Sequence, residues 1–220
     1  MIVQIPHLLT ADELTQIQQS LNQAEFVDGK LTAGWHAKLV KNNQQLAKTS
    51  SSTLKMMLLA ALKRNQLFQA VARPKTIHSV LFSRYGEGMA YGRHIDNALM
   101  GGENFHRSDL SFTVCLNAPE DYAGGELVIE GADSEASYKL EAGSAIVYPS
   151  TTLHRVEPVS QGQRLVAVGW VQSLVRDAAK REILFDLETV KRSLFAQSGK
   201  TDEFDLVAKS LANLMRRWAE

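Results

Sequence analysis

The chain has 220 residues, 45% of them hydrophobic, which suits one substantial core with appendages. Its 24 basic residues balance 24 acidic ones without gathering into a basic run, so no nucleic-acid partner is expected. No segment approaches the roughly eighteen uninterrupted apolar residues of a membrane span, and the N-terminus carries no basic leader, so a soluble, cytoplasmic protein without a membrane partner is expected.

The single cysteine, Cys115, lies in the apolar run "LSFTVCLNAP" and reads as a buried small hydrophobe in a reducing compartment. Near the N-terminus, "LTADEL" is a helix-start signature. Thr10 can cap, Glu13 can close a capping box, and Leu9 and Leu14 are spaced for a hydrophobic staple, so a helix is expected from Ala11 to Gln23. The stretch from Asn42 to Val71 places leucines and methionines at helical spacing, without proline or glycine, and is expected to be mostly helix.

At Pro74 the texture changes. "TIHSVLFSRY", "SDLSFTVCLN", "ELVIEG", "YKLEAGSAIVYPS", "HRVEPV" and "RLVAVGWVQS" read as short strands, nearly all separated by Gly, Pro, Asn or Asp punctuation. Without helix-length segments between them, they predict an antiparallel sandwich or jelly roll, with "SQGQ" as the turn of the last hairpin. From Leu174 the helical period returns, with Ala179, Ile183, Leu187, Val190 and Leu194 on one face and Asp177–Arg181 and Glu188–Arg192 as solvated pairs. "SGKTDEF" ends that helix, and Thr201 caps a final one. The expected organisation is α+β: a helical support layer over 1–74, a jelly-roll core over 75–174 and a helical extension over 175–220 that covers the barrel or mediates self-association.

The chemistry begins at "YGRHIDNAL", where His94 and Asp96 would share one face of an extended strand. Alone the pair is weak, since six histidines and ten aspartates produce about 0.27 such spacings by chance, and a solvated turn competes with the ligand reading. Downstream, His154 follows the strand "SAIVYPS" and Arg164 lies ten residues later. Two histidines and a carboxylate are the inventory of the facial triad that holds non-haem Fe(II) with open positions. Arg164 begins a face continued by Val166, Val168 and Trp170. If it points inward it needs an anion, and a ligand dicarboxylate fits; if it lies beside the hairpin turn it faces solvent.

With HxD at 94–96, a distal histidine at 154 and an arginine ten residues beyond, the chain resembles the Fe(II)/2-oxoglutarate dioxygenases. "RYGEGMAYGRHIDNAL", "AGGELVIE" and the helical C-terminus are similar to the bacterial PKHD-type hydroxylases, relatives of the prolyl and lysyl hydroxylases often associated with iron uptake. The resemblance implies a double-stranded β-helix, Fe(II) on His94, Asp96 and His154, and the distal carboxylate of 2-oxoglutarate on Arg164. It also implies a cosubstrate contact from Tyr85 and L-ascorbate as a rescuing reductant. The implied reaction consumes O2 and hydroxylates a peptidyl or small-molecule substrate while 2-oxoglutarate is decarboxylated to succinate and CO2. Two other readings use the same residues: a cupin-like metal or anion-binding module without turnover, and a metal-dependent hydrolase. His78 reads as structural, His106 as a loop residue bordering the substrate entrance, and His7 and His36 have no ligand spacing.

Overall fold

The computed structural model of the chain describes residues 1–47, 52–101 and 105–220. After the edge strand β1 (Val3–Ile5), Thr10 caps helix α1 (Ala11–Asn22). The Glu13 amide donates to the Thr10 hydroxyl at 3.2 Å, and the Thr10 amide donates to the Glu13 carboxylate at 2.9 Å, closing the expected capping box. Thr10→Ala is expected to lower stability by ~1 kcal/mol without touching ligand binding, measurable by urea denaturation.

The helix expected from residue 42 starts later. Strands β2 (Phe26–Asp28), β3 (Lys41–Asn42) and β4 (Gln44–Leu46) come first, and only then α2 (Ser52–Arg64) and α3 (Gln66–Ala72). Positions 48–51 of that stretch lie outside the described residues. The physical reason is the burial period: Lys41, Asn43 and Gln45 are buried while Asn42 is exposed and Gln44 only partly buried, the alternation of a strand. Helical burial begins at Leu54 and continues through Leu58, Ala61 and Leu62.

The remaining strands are β5 (Pro74–Tyr85), β6 (Ala90–His94), β7 (Leu99–Met100), β8 (His106–Arg107), β9 (Leu110–Cys115), β10 (Tyr122–Gly124), β11 (Leu127–Glu130), β12 (Glu135–Tyr138), β13 (Ala145–Pro149), β14 (His154–Val156), β15 (Val159–Gly162) and β16 (Arg164–Ser173). A seven-stranded sheet runs β1-β13-β9-β16-β5-β4-β2 and a five-stranded sheet runs β12-β11-β14-β6-β3, with every pairing antiparallel. This is the jelly-roll core with helical layers. The segment 41–46 passes from the small sheet, where Lys41 pairs with Tyr91, to the large one, where Gln44 pairs with Arg84.

"SQGQ" is not the hairpin turn into the last strand. Ser160–Gly162 belongs to β15, which pairs with β10, while β16 pairs with β5 and β9. Gly162 has φ 77°, and a Cβ there would lie 2.3 Å from the Asp121 carbonyl oxygen, so the glycine serves this close backbone approach.

The large sheet sorts its side chains by period two. Leu110, Phe112 and Val114 of β9 join Leu58, Leu62, Phe68 and Val71 in the core beneath the helices, where Phe68 and Phe112 meet edge to face at 5.9 Å. The alternate residues Ser111 and Thr113 face the space between the sheets. On β16 the same alternation sends Leu165, Ala167 and Val171 to the helices, and Arg164, Val168 and Trp170 to the inner cavity. Cys115 is buried and unpaired.

At the C-terminus, α4 (Ala178–Ser198) is followed by α5 (Asp202–Trp218), capped by Thr201 as expected. The buried face of α4 differs from the expected one, because Ile183 and Val190 are both 47% exposed while Arg181 and Leu184 are buried. Asp177 makes no ion pair with Arg181 but caps the helix through the Lys180 amide at 2.9 Å. Arg181 folds back onto the carbonyls of Val175 and Arg176 at 2.8 and 2.7 Å. Those two attachments set the helix rotation, and Leu184 then packs with Val175 and Leu211. Glu188 and Arg192 do pair, at 2.9 Å. No described helix is long and apolar enough to cross a membrane.

Candidate active site

Between the two sheets lies a cavity of about 450 Å³ lined by residues of both, among them His94, Asp96, His154, Arg164 and Tyr85. His94 ends β6, His154 begins β14, and the two are direct cross-strand partners. Their ring centroids are 4.3 Å apart. Asp96 lies beyond the end of β6 rather than on its face, so the expectation of two ligands on one strand face is corrected. The loop after the strand carries the carboxylate back, and Asp96 Oδ2 stands 3.8 Å from His154 Nε2. Each of the three residues offers a donor atom, and these atoms all lie within 4.8 Å of one another.

The surrounding hydrogen bonds orient these donors. His94 Nδ1–H donates to the Gly92 carbonyl at 2.8 Å, and His154 Nδ1–H donates to the Thr152 carbonyl at 3.0 Å. Each bond selects the tautomer that leaves the Nε2 lone pair available. Ser111 Oγ donates to Asp96 Oδ2 at 2.6 Å and lies 2.8 Å from Ser150 Oγ. The Tyr91 ring stacks on His94 with centroids 3.6 Å apart, and Tyr148 meets His154 edge-on at 5.1 Å. Burial first, and the adjacent His154 second, hold the His94 imidazole below its ordinary pKa, which favours the neutral form a metal requires.

Two imidazoles and one carboxylate, preset by backbone and hydroxyl partners and opening onto a cavity, fit a divalent cation of the non-haem iron type. Ser111→Ala is expected to lower Fe(II) affinity about tenfold, by loosening the Asp96 carboxylate, with little change in stability. Anaerobic metal titration would read this directly.

Arg164 is 3% exposed, which sets aside the solvent-facing reading. It stands opposite Tyr85 in the β16–β5 register, with its guanidinium carbon 5.1 Å from the Tyr85 ring centroid. No ion pair of Arg164 occurs among the described residues. Burial raises the Tyr85 phenol pKa, with Arg164 opposing, so Tyr85 is a neutral donor at physiological pH.

His78 stays apart from this cluster, bonded to Ser79 Oγ at 3.2 Å and to the Arg107 carbonyl at 3.3 Å. His106 stacks on it at 5.3 Å and lies in strand β8 rather than in a loop, paired with Met100, which lines the cavity. Sequence reasoning overlooked Lys41, Tyr91, Ser111 and Tyr148 in that wall. The available signal for Lys41 was the polar alternation with Asn43 and Gln45, and for Ser111 the alternate hydroxyls of Ser111 and Thr113 in an otherwise apolar strand.

The family model of the 2OG-Fe(II) oxygenase superfamily matches residues 80–172. The prolyl-4-hydroxylase of Pseudomonas putida superposes with a TM-score of 0.54 at 22% identity, covering 78% of this chain and 92% of that one. The fold and the His94–Asp96–His154 donor set agree with that family model. Over their full lengths, the chain is 65% identical to a PKHD-type hydroxylase of Picosynechococcus sp. and 64% identical to one of Gloeothece citriformis, covering 100% of each chain in both cases. The chain belongs to the PKHD-type hydroxylases. Neither the binding module without turnover nor the hydrolase is compatible with that membership.

Proposed function

We propose that the protein hydroxylates a C–H bond of its substrate, with His94, Asp96 and His154 holding Fe(II) and Arg164 holding the distal carboxylate of 2-oxoglutarate. The observation that carries this reading is the meeting, in one cavity, of three oriented donor groups with a buried cation that has no carboxylate partner among the described residues. Fe(II) with 2-oxoglutarate and O2 supplies the oxidation: 2-oxoglutarate, O2 and substrate C–H become succinate, CO2 and substrate C–OH.

The chain's own residues supply position and environment. The Arg164 guanidinium matches a carboxylate in fork geometry, and Tyr85 beside it offers a phenolic donor to the same group. Gly92 and Thr152 keep both imidazoles turned toward the metal through their carbonyls, and Ser111 keeps the Asp96 carboxylate aligned. Leu127, Val156 and Val168 give the cavity apolar walls that limit water beside the reacting centre. L-ascorbate would supply the reductant that keeps such a site active. The substrate is a peptidyl prolyl or lysyl-type side chain or a small molecule of iron acquisition, and the site of action is the cytoplasm.

The test is aerobic incubation with Fe(II), 2-oxoglutarate and a cell extract, followed by mass spectrometry for the gain of one oxygen, against His94→Ala as control. Succinate formed together with an oxygenated product only by the wild type is the expected result. Succinate no higher than in the His94→Ala control under every condition, with zinc retained in preference to iron, would sink the reading.

A further inference from the structure

Among the described residues, the ionisable side chains lining the cavity, apart from the paired histidines and the tyrosines, are three cations, Lys41, Lys55 and Arg164, and one carboxylate, Asp96. On the hydroxylase reading, which this inference rests on, a divalent metal and a doubly charged 2-oxoglutarate cancel one another. The occupied cavity therefore keeps its excess of positive charge, and Lys41 is the buried cation to which that reading assigns no role.

Lys41 is 6% exposed, and no carboxylate lies within ion-pair distance of its ammonium among the described residues. Its position is nonetheless held. Nζ donates to Thr32 Oγ1 at 3.2 Å, and Thr32 Oγ1 in turn donates to Gln45 Oε1 at 2.6 Å, which leaves a hydroxyl lone pair for the ammonium. Nζ also lies 5.2 Å from the centroid of Tyr91, whose ring stacks on His94. The ammonium thus stands one ring away from a metal-binding imidazole, with one of its three N–H donors met by an acceptor among the described residues and two left for a ligand. Burial lowers its pKa to about 8, with Asp96 and Asp28 partly opposing, so it is still mostly cationic near neutrality. A buried ammonium without a counter-charge is costly, and a bound anion removes that cost.

We infer that Lys41 is a second anion anchor of the cavity, beyond Arg164, binding a carboxylate or similar acidic group presented beside the His94–Asp96–His154 cluster. That group has two sources of the same chemistry: the metal-side carboxylate of 2-oxoglutarate, or an acidic group on the molecule being hydroxylated.

The experiment compares wild type, Lys41→Met and Lys41→Arg in two arms. The first titrates 2-oxoglutarate into the Ni(II)-loaded protein by calorimetry, and the second measures oxygenated products from a cell extract with Fe(II) and 2-oxoglutarate. For the cosubstrate source, Lys41→Met weakens 2-oxoglutarate binding at least about tenfold and Lys41→Arg restores most of it. For the substrate source, 2-oxoglutarate affinity is unchanged, but the yield of an acidic oxygenated product falls at least about tenfold in Lys41→Met.

Both quantities within about twofold of wild type would overturn the inference, as would a loss accompanied by a lower melting temperature of the unliganded Lys41→Met protein. If the wild type oxygenates nothing while Lys41→Met still loses 2-oxoglutarate affinity, the hydroxylase reading fails and the anion anchor stands.

Discussion

Arg164→Met is expected to weaken 2-oxoglutarate binding by ~100-fold, about 2.7 kcal/mol, because charge-assisted hydrogen bonds from a guanidinium fork to a carboxylate are lost together. Metal affinity should change little, since Arg164 starts β16 in the large sheet, whereas the histidines lie on β6 and β14 of the small one. Stability of the unliganded protein should hold or rise, because the substitution removes a buried cation that has no carboxylate partner among the described residues. Arg164→Lys keeps the charge but not the fork, and should fall between the two, at about tenfold. Calorimetric titration of the Ni(II)-loaded proteins checks all of this, and unchanged cosubstrate affinity in Arg164→Met would remove the residue from its proposed role.

Asp96→Ala should have the other large effect. Removing the anionic member of the three donors leaves two imidazoles, and Fe(II) affinity is expected to fall by at least ~100-fold, with loss of succinate formation. The fold should survive, because Asp96 lies beyond the end of β6 and losing its hydrogen bond from Ser111 leaves a hydroxyl that still has Ser150 as a partner. Metal content after anaerobic reconstitution, read beside a thermal melt, separates the two effects. A variant that melts normally and still retains one Fe(II) per chain would contradict the assignment of Asp96 as a ligand.

The two variants also divide the site along its construction. Arg164 and Tyr85 face one another across β16 and β5, while His94 and His154 face one another across β6 and β14. Each pair is set by one antiparallel register, so a slip of one residue in either ladder would turn a functional side chain out of the cavity. Ser111 on β9 is the link between the sheets at this point, since its hydroxyl reaches from the large sheet to the carboxylate that follows β6.

What could be read from the chain alone was local or strongly patterned. Thr10 with Glu13, and Thr201 ahead of the last helix, are caps whose partners lie within three residues, so their geometry is written in the spacing. The strands from β5 to β16 show apolar runs broken by turn residues, and His94, Asp96, His154 and Arg164 stood out as a set because their types and order suit one chemistry. The failures have a common origin in contacts distant along the sequence. Lys41, Asn43 and Gln45 are polar residues on the inner face of the β3–β4 segment, buried because they line the cavity rather than the core, so the usual apolar signal of an inward face is missing. The face of α4 turned with Arg181, which seeks the carbonyls of Val175 and Arg176, a contact that hydrophobic periodicity does not weigh.

The sequence by itself therefore determined the chemistry on offer: two imidazoles, one carboxylate and one arginine in an antiparallel β-rich core, the arginine's inward direction being decided by the structure. Only the tertiary structure decided that Asp96 acts from a loop held by Ser111, that Tyr91 packs on His94, and that Lys41 brings a further cation beside them. The reason is that caps and periods are settled by neighbours along the chain, whereas a cavity wall is settled by the register and closure of strands that meet from all parts of it.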